Sequence, residues 1–374
     1  MRNIRDPTVL SPSSPLPPLP TSFFGRDAII DDLLGLAGRS ASLTLFGAGG
    51  NGKTAMALTL LHHEQIAAKF GKHRHFIYCD SLMNSLDGFL ERLSDAIDLG
   101  HTADMEELRS RFGSSPPCML VLDGVDSILD TLAPGAAEIT TAIEEFGRCK
   151  HICLIATSRM DIRIQDFRHI EVPTLPADGA RDAFYDRCRM GRSTEVDKLL
   201  TDLDFHPLSI ELLAGAVLEN SWDESGLLKA WNDSKANVLT ESGRQSLEDT
   251  IQSILLTPTI QGLGITARQT LEAIAPYPSG VRESKLESRF SHISGVGEAA
   301  NALCKFSLLY RQDGFVKMLS PFRFYFLESI PTQVEQPESY PTRDSIVEDI
   351  QYPHRYPLTP GLSSISFLLQ DVSS

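Results

Sequence analysis

Between residues 42 and 172 short apolar blocks alternate with longer stretches of mixed polarity. The blocks fall at 43–46, 75–79, 119–122, 152–156 and 169–172. A strand covered on both faces has no polar side, so it reads as a continuous apolar run and not as an alternation. The segment 54–70 differs, because Ala57, Leu58, Leu61 and Ala68 recur at helical spacing and predict one amphipathic helix. Strands of this kind separated by helices predict a three-layer α/β domain over residues 21–172, with a parallel sheet between helical layers.

The pattern changes after Pro173. Segments 177–189, 195–203 and 208–218 have helical periodicity, and Pro207 suits the first turn of the last one. A polar helical stretch continues over 222–256 and ends near Pro258, so residues 173–260 are expected to form a helical domain. Residues 261–330 begin with a helix around 268–275 and pass the breaker Pro276-Tyr277-Pro278-Ser279-Gly280. They then show two strand-like pieces, 307–311 and 315–319, joined by the hairpin signal Gln312-Asp313-Gly314. Helices followed by a hairpin predict a winged-helix-like domain. Residues 1–20 form a proline-rich leader with six prolines, extended because proline fixes φ. Its overlapping PxxP spacings also fit a groove that binds polyproline helices. Residues 331–374, rich in Pro, Ser and acidic side chains, lack periodicity and are expected to be disordered.

Composition narrows the class. A hydrophobic share of 42% and a charged share of 22% suit a globular chain, and no apolar run reaches the ~20 residues of a membrane span. No apolar stretch follows the charged N-terminus, so a secretory signal is not read and a cytoplasmic location is expected. The net charge of −15 argues against direct nucleic-acid binding, whose phosphates an acidic surface repels. Within 268–328 eight basic residues face six acidic ones, too even for a basic face. The six cysteines form no CxxC pair and are read as reduced and structural.

One motif carries most of the chemistry. Gly47-Ala48-Gly49-Gly50-Asn51-Gly52-Lys53-Thr54 is a complete G-x-x-x-x-G-K-[ST] loop, which chance would give a chain of this length on the order of once in a hundred. It follows the apolar block 43–46 and opens the helix, the context in which such a loop cradles phosphates with main-chain N–H groups. Lys53 would neutralise β- and γ-phosphates, and Thr54 would ligate Mg²⁺ through its hydroxyl. Asp123 ends the apolar block after Cys118, and a carboxylate there needs a positive partner. Mg²⁺ shared with Thr54 supplies one. Asp126 either orients the attacking water or caps the segment that follows. Gly124 stands where many ATPases place an acidic base, so hydrolysis is expected to be slow. Thr157 and Arg159 end the block 152–156, where a strand C-terminus faces the phosphates. There Thr157 would sense the γ-phosphate and Arg159 would pair with it, a charge-assisted bond that separates ATP from ADP. With no N-K-x-D sequence to read guanine, adenine is the expected base.

In this order the elements resemble the signal-transducing NTPases with numerous domains (the STAND class), and within it the NB-ARC and NACHT-related proteins of filamentous fungi. The resemblance runs over about residues 20–330. Phe23-Phe24-Gly25-Arg26-Asp27 resembles the class's opening motif, whose backbone borders the adenine, which implicates Phe24 and Arg26. His206-Pro207-Leu208 is similar to its G-x-P-L motif, in which the proline, here Pro207, lies against the base. The resemblance implies an ATP/ADP switch with Mg²⁺, closed with ADP and open with ATP. It also implies self-association or association with related STAND proteins. Met318 matches the first residue of the relatives' Met-His-Asp triplet, and Leu319 and Ser320 stand in place of the other two. The effector domain and repeat array of relatives have no counterpart in these residues. A truncated gene product, a regulatory subunit or a module acting in trans are the readings that follow. The alternative to a slow switch is a non-hydrolysing, ADP-bound adaptor working through protein interfaces.

Overall fold

The computed structural model describes residues 16–20, 23–79, 83, 85–114, 116–130, 132–133, 135–233, 235–240, 251–252 and 254–329. The leader before residue 16 and the tail expected to be disordered lie outside them.

Five parallel strands form the central sheet: β1 (Leu43–Phe46), β2 (Arg74–Tyr78), β3 (Cys118–Asp123), β4 (Ile152–Ser158) and β5 (Arg168–Glu171). Their spatial order is β2-β3-β4-β1-β5. β4 thus lies between the strand that feeds the glycine-rich loop and the strand that ends in Asp123. Alternate side chains explain why the inner strands β3 and β4 read as apolar runs, whereas the edge strand β5 carries Arg168, His169 and Glu171 and, against expectation, is not covered on both faces. Met119, Val121, Cys153 and Ile155 enter one apolar cluster with Leu43, Leu45, Met56, Leu60 and Phe70. Leu120, Leu122, Ile152, Leu154 and Ala156 enter another, with Phe89, Leu93, Ile139 and Phe146. Each face is closed by helices, the first by α1 (Asp27–Gly38), α2 (Lys53–His62) and α3 (Glu64–Phe70). The second is closed by α4 (Leu86–Ala96), α5 (Met105–Ser114) and α7 (Ala136–Gly147), with the short α6 (Asp126–Leu129) at the end of β3.

The single helix expected over 54–70 is two. His63 adopts extended angles, φ −62° and ψ 139°, and its ring accepts from the Gln65 N–H to start α3. The break turns Ile66 and Phe70 onto the sheet.

Beyond the sheet lie α8 (Ala177–Cys188), α9 (Thr194–Asp202), α10 (Pro207–Glu219), α11 (Glu224–Asp233) and α12 (Lys235–Thr240). The helical residues 254–255 stop just before Pro258, as expected, and Pro258 itself opens α13 (Pro258–Gly262), where its missing N–H costs nothing. α14 (Ile265–Ile274), α15 (Leu286–Arg289) and α16 (Val296–Lys305) follow. Next comes the antiparallel hairpin of β7 (Leu309–Gln312) and β8 (Phe315–Met318), with β6 (Val281–Arg282) added on its edge. Asp313 and Gly314 turn the hairpin with φ 52° and 77°, the paired positive values of a two-residue turn. The sequence pattern missed α17 (Ser320–Ser329), which comes next. One apolar core runs from Leu175 in the helical stretch to Phe326 in α17, with Trp231, Leu271, Leu303 and Val316 between.

Candidate functional site

The glycine-rich loop occupies the turn from β1 into α2. Gly47, Gly50 and Gly52 have φ of 144°, 81° and 85°, values that side-chain-bearing residues rarely adopt, so the loop bends at these three points. Lys53, 9% exposed, donates to the carbonyls of Gly47 and Ala48 at 2.8 Å each. These bonds fold the lysine over the loop and use two of its three N–H groups. Burial pulls its ammonium down to about 8, opposed by the charges of Asp126 and Asp123 and reinforced by that of Arg159. An anion bound in the loop would relieve that penalty.

Asp123 is brought to the same place. Its Oδ1 accepts from the hydroxyls of Thr54 at 2.8 Å and Thr157 at 2.7 Å, while Thr157 Oγ1 accepts from the Gly124 N–H at 2.9 Å. Burial raises the Asp123 carboxyl above its ordinary range, and the two hydroxyls and Lys53 oppose this. A hydroxyl and a desolvated carboxylate are the hard oxygen donors that Mg²⁺ takes. The donor set fits that ion.

Arg159 and Asp126 form a pair. Asp126, 1% exposed, accepts from the Arg159 backbone N–H at 2.9 Å and from its Nε at 2.6 Å. Asp126 makes no capping bond to α6, whose cap residue is Val125, so the capping alternative is not what its carboxylate does. Gly124 has φ 78°, a left-handed angle that favours glycine at this position.

Further segments meet the loop or Arg159. Arg26 donates to the carbonyls of Asn51 at 3.2 Å and Pro173 at 2.6 Å, and Asn51 donates through Nδ2 to Val172 at 2.8 Å. Phe24, half-buried, precedes Gly25 (φ 63°), where an added Cβ would lie 2.9 Å from the Gly179 Cα of α8. Pro207 begins α10 beside the loop: the next residue, Leu208, donates its N–H to the Gly50 carbonyl at 3.3 Å. The preceding residue, His206, meets the Gly49 carbonyl at 2.8 Å. The Ser307 hydroxyl, just before β7, donates to the Arg159 carbonyl at 2.7 Å.

Sequence reasoning named Pro207 and passed over its neighbour His206, and it gave Ser307 no role. A His-Pro pair before a helix was the available signal for the first. Ser307 left none, since its partner lies 148 residues away.

Comparison with known proteins finds no family model and no curated protein that matches the chain. Solved structures do match. A Walker-type ATPase of Pyrococcus abyssi is 13% identical, with a TM-score of 0.59 over 82% of this chain and 96% of that one. A STAND protein with a tetratricopeptide repeat sensor, from Pyrococcus horikoshii, is 14% identical. Its TM-score is 0.39, over 88% of this chain and 45% of that one. The first likeness, with the loop geometry above, gives the chain the fold of a Walker-type ATPase. Among the described residues no helix is long and apolar enough to cross a membrane.

Proposed function

We propose that the chain binds ATP and ADP with Mg²⁺ and works as a slowly hydrolysing nucleotide switch of the STAND kind. The observation that carries the reading is the complete loop from Gly47 to Thr54, with Lys53 folded over it and Thr54 joined to Asp123 and Thr157. Loop amides and the N-terminus of α2 hold the phosphates, Lys53 neutralises them, and Thr54 and Asp123 hold the metal. Mg²⁺, when bound, would offset phosphate charge.

Slow turnover follows from the catalytic candidates. Both carboxylate oxygens of Asp126 are engaged by Arg159, and Gly124 brings no carboxylate. Asp126 therefore serves as the counter-ion of Arg159, which pairs with a γ-phosphate only when it exchanges that partner. The switch reading, with the separate helical and winged-helix-like domains it assumes, rests on the order of the sequence motifs. It is supported by the grip of later segments on the site: His206 and Leu208 on the loop, and Ser307 on Arg159. A closed form of this kind favours ADP, and ATP shifts the population by the difference in its affinity for the two forms. The opened form would associate with further copies or with related proteins.

The engaged state of Asp126 also favours the second reading, an ADP-bound adaptor without turnover. Calorimetry with Mg·ADP tests binding: Lys53→Ala should abolish it, and an unchanged affinity would defeat the reading. Phosphate release that is sustained in the wild type and lost in that variant marks the switch. Tight ADP without release marks the adaptor.

A further inference from the structure

His206 is fully buried at the head of α10, yet its ring makes no capping bond to that helix. It reaches across to the phosphate loop, where Nε2 meets the Gly49 carbonyl oxygen at 2.8 Å. A carbonyl only accepts, so Nε2 carries the proton. Nδ1 of the neutral ring then accepts from the Ser209 hydroxyl, 2.8 Å away. Phe322 of α17 closes the seat, edge to face with the imidazole at 5.8 Å between centroids. The tautomer and the ring plane are both set by neighbours.

The bond matters because of what it holds. Gly49 and Gly50 are consecutive glycines, and a Gly-Gly peptide meets little steric resistance to turning over. A trans peptide points its C=O and N–H in opposite directions. With the Gly49 oxygen fixed on His206, the Gly50 N–H points away from the imidazole. If the peptide turned over, the carbonyl dipole would take the place of that donor. The close approach also requires Gly50 to lack a side chain, since an added Cβ would sit 2.6 Å from the His206 Cε1. Within the nucleotide-binding reading, on which this rests, we propose that His206 is a positioning residue: it fixes the Gly49–Gly50 peptide so that its amide is presented to the nucleotide phosphates.

The test uses the full chain and Mg·ADP calorimetry, with thermal melting of each nucleotide-free variant as the folding control. The amide nitrogen of a glutamine can occupy the place of Nε2 and donate to Gly49, whereas methionine fills the same space without a donor. His206→Gln should bind ADP within about threefold of the wild type, and His206→Met about tenfold more weakly, the size of one lost hydrogen bond. If His206→Met does not fold, His206→Asn takes its place: its amide is one methylene shorter, and the same loss is expected. Rescue by glutamine alone supports a donor role, because a purely space-filling side chain would favour methionine at least as well. Equal affinities for the glutamine variant and the methionine or asparagine variant would overturn the proposal. A wild type that binds no ADP, indistinguishable from Lys53→Ala, would refute the nucleotide reading itself.

Discussion

Replacing Asp126 by asparagine isolates the Arg159 pair. The change is isosteric, and the side-chain oxygen still accepts the Arg159 backbone N–H that now bonds at 2.9 Å. The other position becomes an NH₂ group facing the Nε–H of the guanidinium, donor against donor, where a 2.6 Å ionic bond stood. Removing one member of a buried pair costs about 3–5 kcal/mol. Here Asp126 is 1% exposed, but the Arg159 side chain keeps 19% and can turn toward water, so a loss of about 2 kcal/mol is expected. For a chain of this size that lowers the melting midpoint by roughly 2–3 °C. The second effect has the opposite sign. A guanidinium without its Asp126 partner is a better partner for an added phosphate, so the preference for ATP over ADP should rise about tenfold, the worth of a charge-assisted bond. Scanning calorimetry of the nucleotide-free variant and titration with each nucleotide measure both. A variant that melts with the wild type and keeps the same ATP-to-ADP ratio would refute the reasoning.

Arg159→Ala should weaken ATP more than ADP in the same titration; equal losses would remove Arg159 from γ-phosphate recognition. Acid sensitivity follows from two buried imidazoles, His75 and His206, each pulled down from 6.5 to about 4 by burial. The unfolded chain takes up these protons first, so stability is complete above pH 6.5 and falls toward pH 4, on the order of 2–3 kcal/mol for each group. Denaturant titrations across that range should show a shallower fall in His206→Gln than in the wild type. Identical slopes would contradict the assignment.

The α/β layering was legible because each central strand is buried on both faces, and the loop because its eight residues stand together in sequence. Asp123 could be placed near Thr54 on the same grounds, since it follows an apolar block that had to be a central strand. What the sequence hid were partners set by long-range packing. Nothing near His206 marks Gly49 as its partner, and nothing near Ser307 marks Arg159. α17 was hidden for another reason: Phe322, Phe324 and Phe326 alternate with polar or smaller neighbours, a period of two that does not announce a helix. Its first N–H finds a partner elsewhere, the Ser320 backbone donating to Asp204 at 2.6 Å. The break between α2 and α3 turns on the backbone angles of His63 alone, which apolar periodicity does not register.

The central claim is that the loop amides and Lys53 grasp a nucleotide's phosphates in front of Asp123. A crystal structure of the full chain with Mg·ATPγS tests it directly. The account predicts the β-phosphate wrapped by the 47–54 loop, with Mg²⁺ between Thr54 and Asp123. A loop holding no phosphate at saturating nucleotide, with Thr54 still bonded to Asp123, would contradict it.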